Sequence, residues 1–214
     1  MCACSQPPSV RASGKHVPPP RIARIAFTAR SWNLTARLTP TADLALLRDG
    51  APFEHSNLAV ARSIQRSNLR VGSFEAVYLA DLAIDAALDA GLDPDFFCAT
   101  MLQESAFDPG ALSSAGAVGI AQFTIETADA NGVDPFDPAS ALSGAAQLIA
   151  GYLNRYRDLY DDPYAAALAA YNAGPQAVSS YRGVPPYPET REYIGYVYER
   201  WARLLADEIR QRPV

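Results

Sequence analysis

The chain has 214 residues, 49% of them hydrophobic, with 18 Lys and Arg against 23 Asp and Glu for a formal charge of −5. That length suits one ordinary domain with a sizeable core plus an extension. Seven basic and three acidic residues fall in positions 1–60, a sum of +4 that leaves −9 for residues 61–214. A main domain of that charge has no reason to seek nucleic acid phosphates.

Residues 1–50 read as an N-terminal extension. Pro7, Pro8, Pro18, Pro19 and Pro20 stand among small polar residues and predict an extended or partly disordered leader. Thr41 can cap a short helix ending near Asp49, with Gly50 as its stop. The basic leader reads as a solvated tail, with contact to an anionic membrane or wall polymer as the alternative. No run approaches the length of a membrane span, and no continuous apolar stretch follows the N-terminal arginines as in a standard signal peptide. Cys2 is a candidate for lipid anchoring, with non-classical export or a wrongly chosen start site as alternatives of at least equal weight. Cys2, Cys4 and Cys98 show no zinc or disulfide spacing, and Cys98 reads as a small buried hydrophobe. His16 and His55 receive no catalytic or metal role.

From residue 51 to 214 the pattern is all-α. Alanine is abundant and β-branched residues are sparse, which favours helix over sheet. A first helix is expected over 57–68. A second spans Ser73 to Ala90, with Ser73 as cap, Val77, Ala80, Ile84 and Leu88 on one stripe, and Gly91 as stop. Asp93-Pro94 opens a third that runs to Glu104, since aspartate suits the N-cap and proline the first turn. Pro109 and Gly110 then demand a loop. Further helices are expected over 118–130, from Asp137-Pro138 to Tyr156, and from Pro163 to Gly174. A short turn of helix follows from Pro175 to Ser180, and a last helix runs from Glu189 to about Ile209.

Glu104 is the candidate for chemistry. Residues 96–107 hold no other charge. A carboxyl group in partly apolar surroundings, near the negative end of a helix, is pushed up in pKa and can donate a proton near neutrality. On this pattern alone an exposed glutamate at a helix end is the better reading. Residues 113–122 follow as Ser-Ser-Ala-Gly-Ala-Val-Gly-Ile-Ala-Gln. Gly116 and Gly119 permit a close backbone approach by a ligand or by another segment, and Gln122 offers a donor and an acceptor for sugar hydroxyls or acetamides.

Residues 104–122 together resemble the signature of the soluble lytic transglycosylase family. That signature has Glu-Ser, a serine nine residues after the glutamate, then Gly-Ala-x-Gly, and a glutamine eighteen residues after it. Ser113 and Gln122 fall at those spacings. Ala170-Tyr171-Asn172-Ala173-Gly174 resembles the family's tyrosine-asparagine motif. Tyr187-Pro188-Glu189-Thr190-Arg191-Glu192-Tyr193 resembles its closing segment. Three blocks in order over about ninety residues are specific where one Glu-Ser is worthless. The resemblance covers roughly residues 58–205.

The resemblance implies a lysozyme-like, mostly helical catalytic domain with a cleft for peptidoglycan glycan strands, acting as a monomer in the periplasm or cell envelope, with no metal or other cofactor. It makes Glu104 the catalytic residue. Ser113 would hydrogen-bond the glutamate or a neighbouring N-acetyl group, and Gly119 and Gln122 would line sugar sites. Tyr171 would sit close to the glutamate, Asn172 would support that wall, and Glu189 would lie across the cleft. An envelope or secretion-system partner could engage residues 1–50. Where the family usually has methionine before its glutamine, this chain has Ala121, and a smaller side chain there is expected to reshape the cleft wall.

Two other functions compete. In a muramidase, water replaces the internal acceptor; Asp108 is then the nearest second acid, while Asp134 and Asp137 fit a turn and a helix cap better. In a non-catalytic glycan-binding assembly protein the tyrosines between Tyr152 and Tyr198 would serve as stacking faces. At helical spacing, though, such residues are more often packing.

Overall fold

A computed structural model describes residues 53–211, and within them the architecture is all-helical. The elements are α1 (Phe53–Ser67), α2 (Ser73–Asp89), α3 (Pro94–Glu104), α4 (Ile125–Asn131), α5 (Pro138–Tyr156), α6 (Pro163–Ala173), α7 (Pro175–Tyr181) and α8 (Pro188–Gln211). The leader, with its expected Thr41–Asp49 helix, lies outside the described residues.

Three helices start by one device. Asp93, Asp137 and Asp162 each accept a hydrogen bond from a backbone N–H three residues on, and a proline occupies the first turn behind each. The side-chain oxygen satisfies an orphan donor, and proline costs nothing where no intrahelical partner exists. The expected Ser73 cap is a correction. Gly72 holds the N-cap position of α2 without a side-chain bond, and Ser73 Oγ instead accepts from Gln65 Nε2 at 3.0 Å. The α2 stripe is also broader than expected. Ala76, Leu79, Ala80, Ala83, Ile84, Ala86 and Ala87 are buried, while Val77 and Leu88 pack at the margin.

α3 is central. Every residue from Pro94 to Leu102 is buried, Cys98 among them. It packs on α2, α1 and above all α8. α6 is almost as deeply placed, buried from Tyr164 to Ala170, and its run of alanines lets α5 and α8 approach closely. α8 straps both. Trp201 Nε1 donates to the Asp93 carboxylate at 3.0 Å, and the Tyr198 hydroxyl donates to Asp162 at 2.9 Å. The same two aspartates that start α3 and α6 thus fasten α8 across them. Phe96, Tyr164 and Trp201 pack ring on ring beneath, with centroids 4.9–5.3 Å apart.

The helix expected over 118–130 is shorter: only Ile125–Asn131 is helical. Residues 105–124 form a folded loop with isolated antiparallel bridges from Val118 to Leu112 and to Phe123. Gln122 has φ 52°, which an α-helix excludes, and Gly119 has φ 74°. A Cβ on Gly119 would lie 2.1 Å from the Pro135 carbonyl oxygen. Close backbone packing, not helical periodicity, therefore dictates this stretch.

Candidate active site

Glu104 is the last residue of α3, at the edge where the central helix gives way to the loop. Its carboxylate is partly open but surrounded by protein. Burial pushes its pKa from the ordinary 4.5 to about 7, opposed by a hydrogen bond that the Tyr193 hydroxyl donates to Oε1 at 2.5 Å. Burial disfavours the charged form, and the phenolic donor favours it. Tyr193 sits on α8 and is itself buried. Its pKa is raised by burial and then by the charge and hydrogen bond of Glu104, so it remains a donor. Sequence reasoning quoted Tyr193 within the closing motif but gave it no role.

Tyr171 is a second buried phenol near the carboxylate. Its hydroxyl donates to the Ala121 carbonyl at 2.7 Å. Its pKa is raised by burial and next by the nearby Glu104 carboxylate, so the two groups lie within electrostatic reach of each other. Ala121, the departure from the family pattern, is fully buried. Its contribution here is that carbonyl.

The loop behind Glu104 is held by its own polar side chains. Ser105 Oγ donates to the Ile120 carbonyl at 2.7 Å and accepts from Asp108 N at 3.1 Å. Ala106 and Phe107 follow with φ 53° and 60°, a left-handed pair that only a firm tertiary anchor would impose on non-glycine residues. The anchor is Phe107, which is fully buried. Ser113 Oγ accepts from Ala117 N at 2.9 Å and closes the 113–117 turn. Its one proton is left for a donor bond. Gln122 Nε2 donates to the Gly119 carbonyl at 2.9 Å, so its amide nitrogen is spent on the loop and its oxygen remains as an acceptor. Gly119 is buried against Pro135, and its role is close chain packing. Asn172 Oδ1 accepts from Thr190 Oγ1 at 2.9 Å, tying the end of α6 to the start of α8. Glu189, beside Thr190, is exposed in the first turn of α8.

Other nearby acids are occupied in local structure. Asp108 Oδ1 accepts from Gly110 N at 2.9 Å, Asp134 Oδ1 from Phe136 N at 2.9 Å, and Asp137 Oδ2 from Ser140 N at 2.8 Å. A groove of about 500 Å³ runs along α5, lined by Asn131, Ser143, Gln147, Tyr152 and Arg155 among others. Glu104 does not line it.

Against this geometry stand the comparisons with known proteins. Residues 81–194, just over half of the chain, match the model of the transglycosylase SLT domain. The chain belongs to that family. Among its relatives is the membrane-bound lytic murein transglycosylase F 1 of Alkalilimnicola ehrlichii, 39% identical over 93 residues that make up 42% of this chain and 19% of that protein. The membrane-bound lytic murein transglycosylase F of Alcanivorax borkumensis is 36% identical over 129 residues, 56% of this chain and 26% of that protein. The corresponding protein of Maricaulis maris is 30% identical over 124 residues, with the same two shares. The SLT-domain region therefore spans about a fifth to a quarter of the length of these relatives.

Proposed function

We propose that the protein is a peptidoglycan lytic transglycosylase in which Glu104 acts first as acid and then as base. The observation that carries this reading is one carboxyl group with a pKa near 7, bonded by Tyr193 and near Tyr171 in an SLT-family fold. At that pKa both protonation states are accessible at neutral pH, which a group serving in both roles requires.

Protonated Glu104 donates to the oxygen joining N-acetylmuramic acid to N-acetylglucosamine. The C1–O bond breaks with oxocarbenium character at the muramic acid, whose own acetamide can stabilise that carbon. The resulting carboxylate accepts the Tyr193 O–H bond more strongly, which stabilises it as it forms. Glu104 then takes the proton of the C6 hydroxyl, whose oxygen closes on C1 to give a 1,6-anhydro end. No water enters, and positioning by the cleft replaces the second carboxylate of ordinary glycosidases. The engagement of Asp108, Asp134 and Asp137 in turns and a cap supports one carboxylate over two. Residues 51–214 form the catalytic domain in this reading. Ser113 and the Gln122 oxygen supply polar contacts to sugar, Asn172 supports the Tyr171 wall, and Glu189 lies across the cleft.

The test is a digest of intact sacculi by the protein and by its Glu104→Gln variant, read by mass spectrometry. The protein should release muropeptides one water lighter than hydrolysed ends, and the variant should release none while keeping its helical circular dichroism. Hydrated ends would identify a muramidase, and turnover by the variant would remove Glu104 from the mechanism.

A further inference from the structure

α1 and α2 form an antiparallel hairpin far from the chemistry. Asn57 Nδ2 donates to Asp81, and Gln65 Nε2 donates to Ser73 Oγ at 3.0 Å, which fixes the register from both ends. The turn between the helices is internally satisfied. Asn68 N donates to the Ile64 carbonyl at 2.7 Å, Asn68 Oδ1 accepts from Arg70 N at 3.1 Å, and Val71 N donates to the Asn68 carbonyl at 3.3 Å. Val71 is buried beneath the turn. On this firm tip Leu69 is 92% exposed and Phe74 95% exposed, and Tyr78, one helical turn beyond Phe74, is 58% exposed. These are large apolar side chains that protrude.

The charge around them leans basic. Arg62, Arg66 and Arg70 are exposed at four-residue spacing, and Arg62 and Arg66 share a shallow groove with Leu69. Between residues 55 and 80 the one acidic side chain is Glu75. From the facing helix Asp207 pairs with Arg66 at 3.1 Å. A domain that carries −9 over residues 61–214 therefore concentrates cations around its most exposed hydrophobic side chains.

We propose that this hairpin tip docks on an anionic lipid surface, with Leu69 and Phe74 entering the acyl boundary, Tyr78 at headgroup depth, and Arg62 and Arg70 on the phosphates. Apolar side chains beside arginines are what such an interface recognises, and tyrosine favours its polar–apolar border. No described helix is long and apolar enough to cross a membrane, so the contact is peripheral.

The test is sedimentation of the full chain with phosphatidylcholine vesicles, with and without phosphatidylglycerol. Binding should require the anionic lipid. The Leu69→Ser/Phe74→Ser double variant should bind more weakly by about tenfold for each side chain. Arg62→Gln/Arg70→Gln should bind roughly tenfold or more weakly and lose most of the salt sensitivity. A Phe74→Trp variant should gain emission that brominated acyl chains quench, which reads the contact at that position in a folded chain. Absence of binding to anionic vesicles, or binding untouched by both tip variants and without quenching at position 74, overturns the proposal. So does capture of a protein partner through the tip by a chain that ignores vesicles.

Discussion

Replacing Glu104 by glutamine removes one titration and preserves the shape, and its effect on stability can be worked out before any activity is measured. Burial raises this carboxyl from 4.5 to about 7 in the folded chain. Between those two values the folded state holds a proton that the unfolded state has released. The stability tied to Glu104 is therefore complete below about 4.5 and is lost as pH rises through about 7. At about 1.4 kcal/mol for each pH unit, with some screening from the open side of the site, the loss is about 2–3 kcal/mol. The Glu104→Gln variant keeps an acceptor for Tyr193 and does not titrate. Urea unfolding of both chains by circular dichroism, at matched pH from 4 to 8, isolates the effect, because every other ionisable group is common to the two. The stability difference should move in favour of the variant by about 2–3 kcal/mol across that range, or about 1 M in midpoint. A difference that stays constant with pH, or moves against the variant, would refute the claim that Glu104 is buried as a protonated acid.

Three further outcomes follow from the same geometry. Tyr193→Phe removes the donor to the ionised carboxylate, so the alkaline limb of kcat/KM, set by protonated Glu104, should move upward by about 1–2 pH units; a limb that stays put or moves down would mean that Tyr193 does not hold the charge. Gly119→Ala places a methyl at 2.1 Å from the Pro135 carbonyl at a φ of 74°, and should cost about 2–4 kcal/mol, seen as a large drop in Tm with the loop loosened. Asp162→Ala strips the cap of α6 and the acceptor of Tyr198 together; thermal unfolding should show a loss of about 2–3 kcal/mol.

Much of this was legible in the sequence, and the reasons are local. Asp93-Pro94 and Asp137-Pro138 announce helix starts because cap and first turn lie within a few residues of each other. Glu104, Ser113, Gln122, Tyr171 and Asn172 are named by motif spacing, and the structure brings Glu104 and Tyr171 together. What escaped is long-range. Val118, Ile120, Ala121 and Phe123 read as a helical stretch, yet Gly119 is set by a carbonyl sixteen residues on and Ala121 by a hydroxyl fifty residues on. For Gly119 the sequence left open a chain segment or a ligand as the close neighbour, and the structure shows the Pro135 backbone against it. Tyr193 is one of several tyrosines on α8 at ordinary helical spacing, and only the crossing of α8 over the end of α3 selects it.

That crossing also explains why the fold spends so many interactions on positions that hold no chemistry. A group serving as acid and base in one turnover cannot be tuned far from neutrality in either direction. Burial alone would push Glu104 too high to release its proton readily, and a full set of donors would hold it too low to keep one. The chain balances one against the other with a single phenol on α8, and the position of that phenol is set elsewhere. Trp201 and Tyr198, eight and five residues along the same helix, are fastened to the caps of α3 and α6. Those two caps thus fix where α8 lies over α3, and through Tyr193 they reach the carboxylate. A shift of α8 that broke either bond would lengthen the one hydrogen bond opposing burial and raise the pKa of Glu104, even with every residue of the site intact.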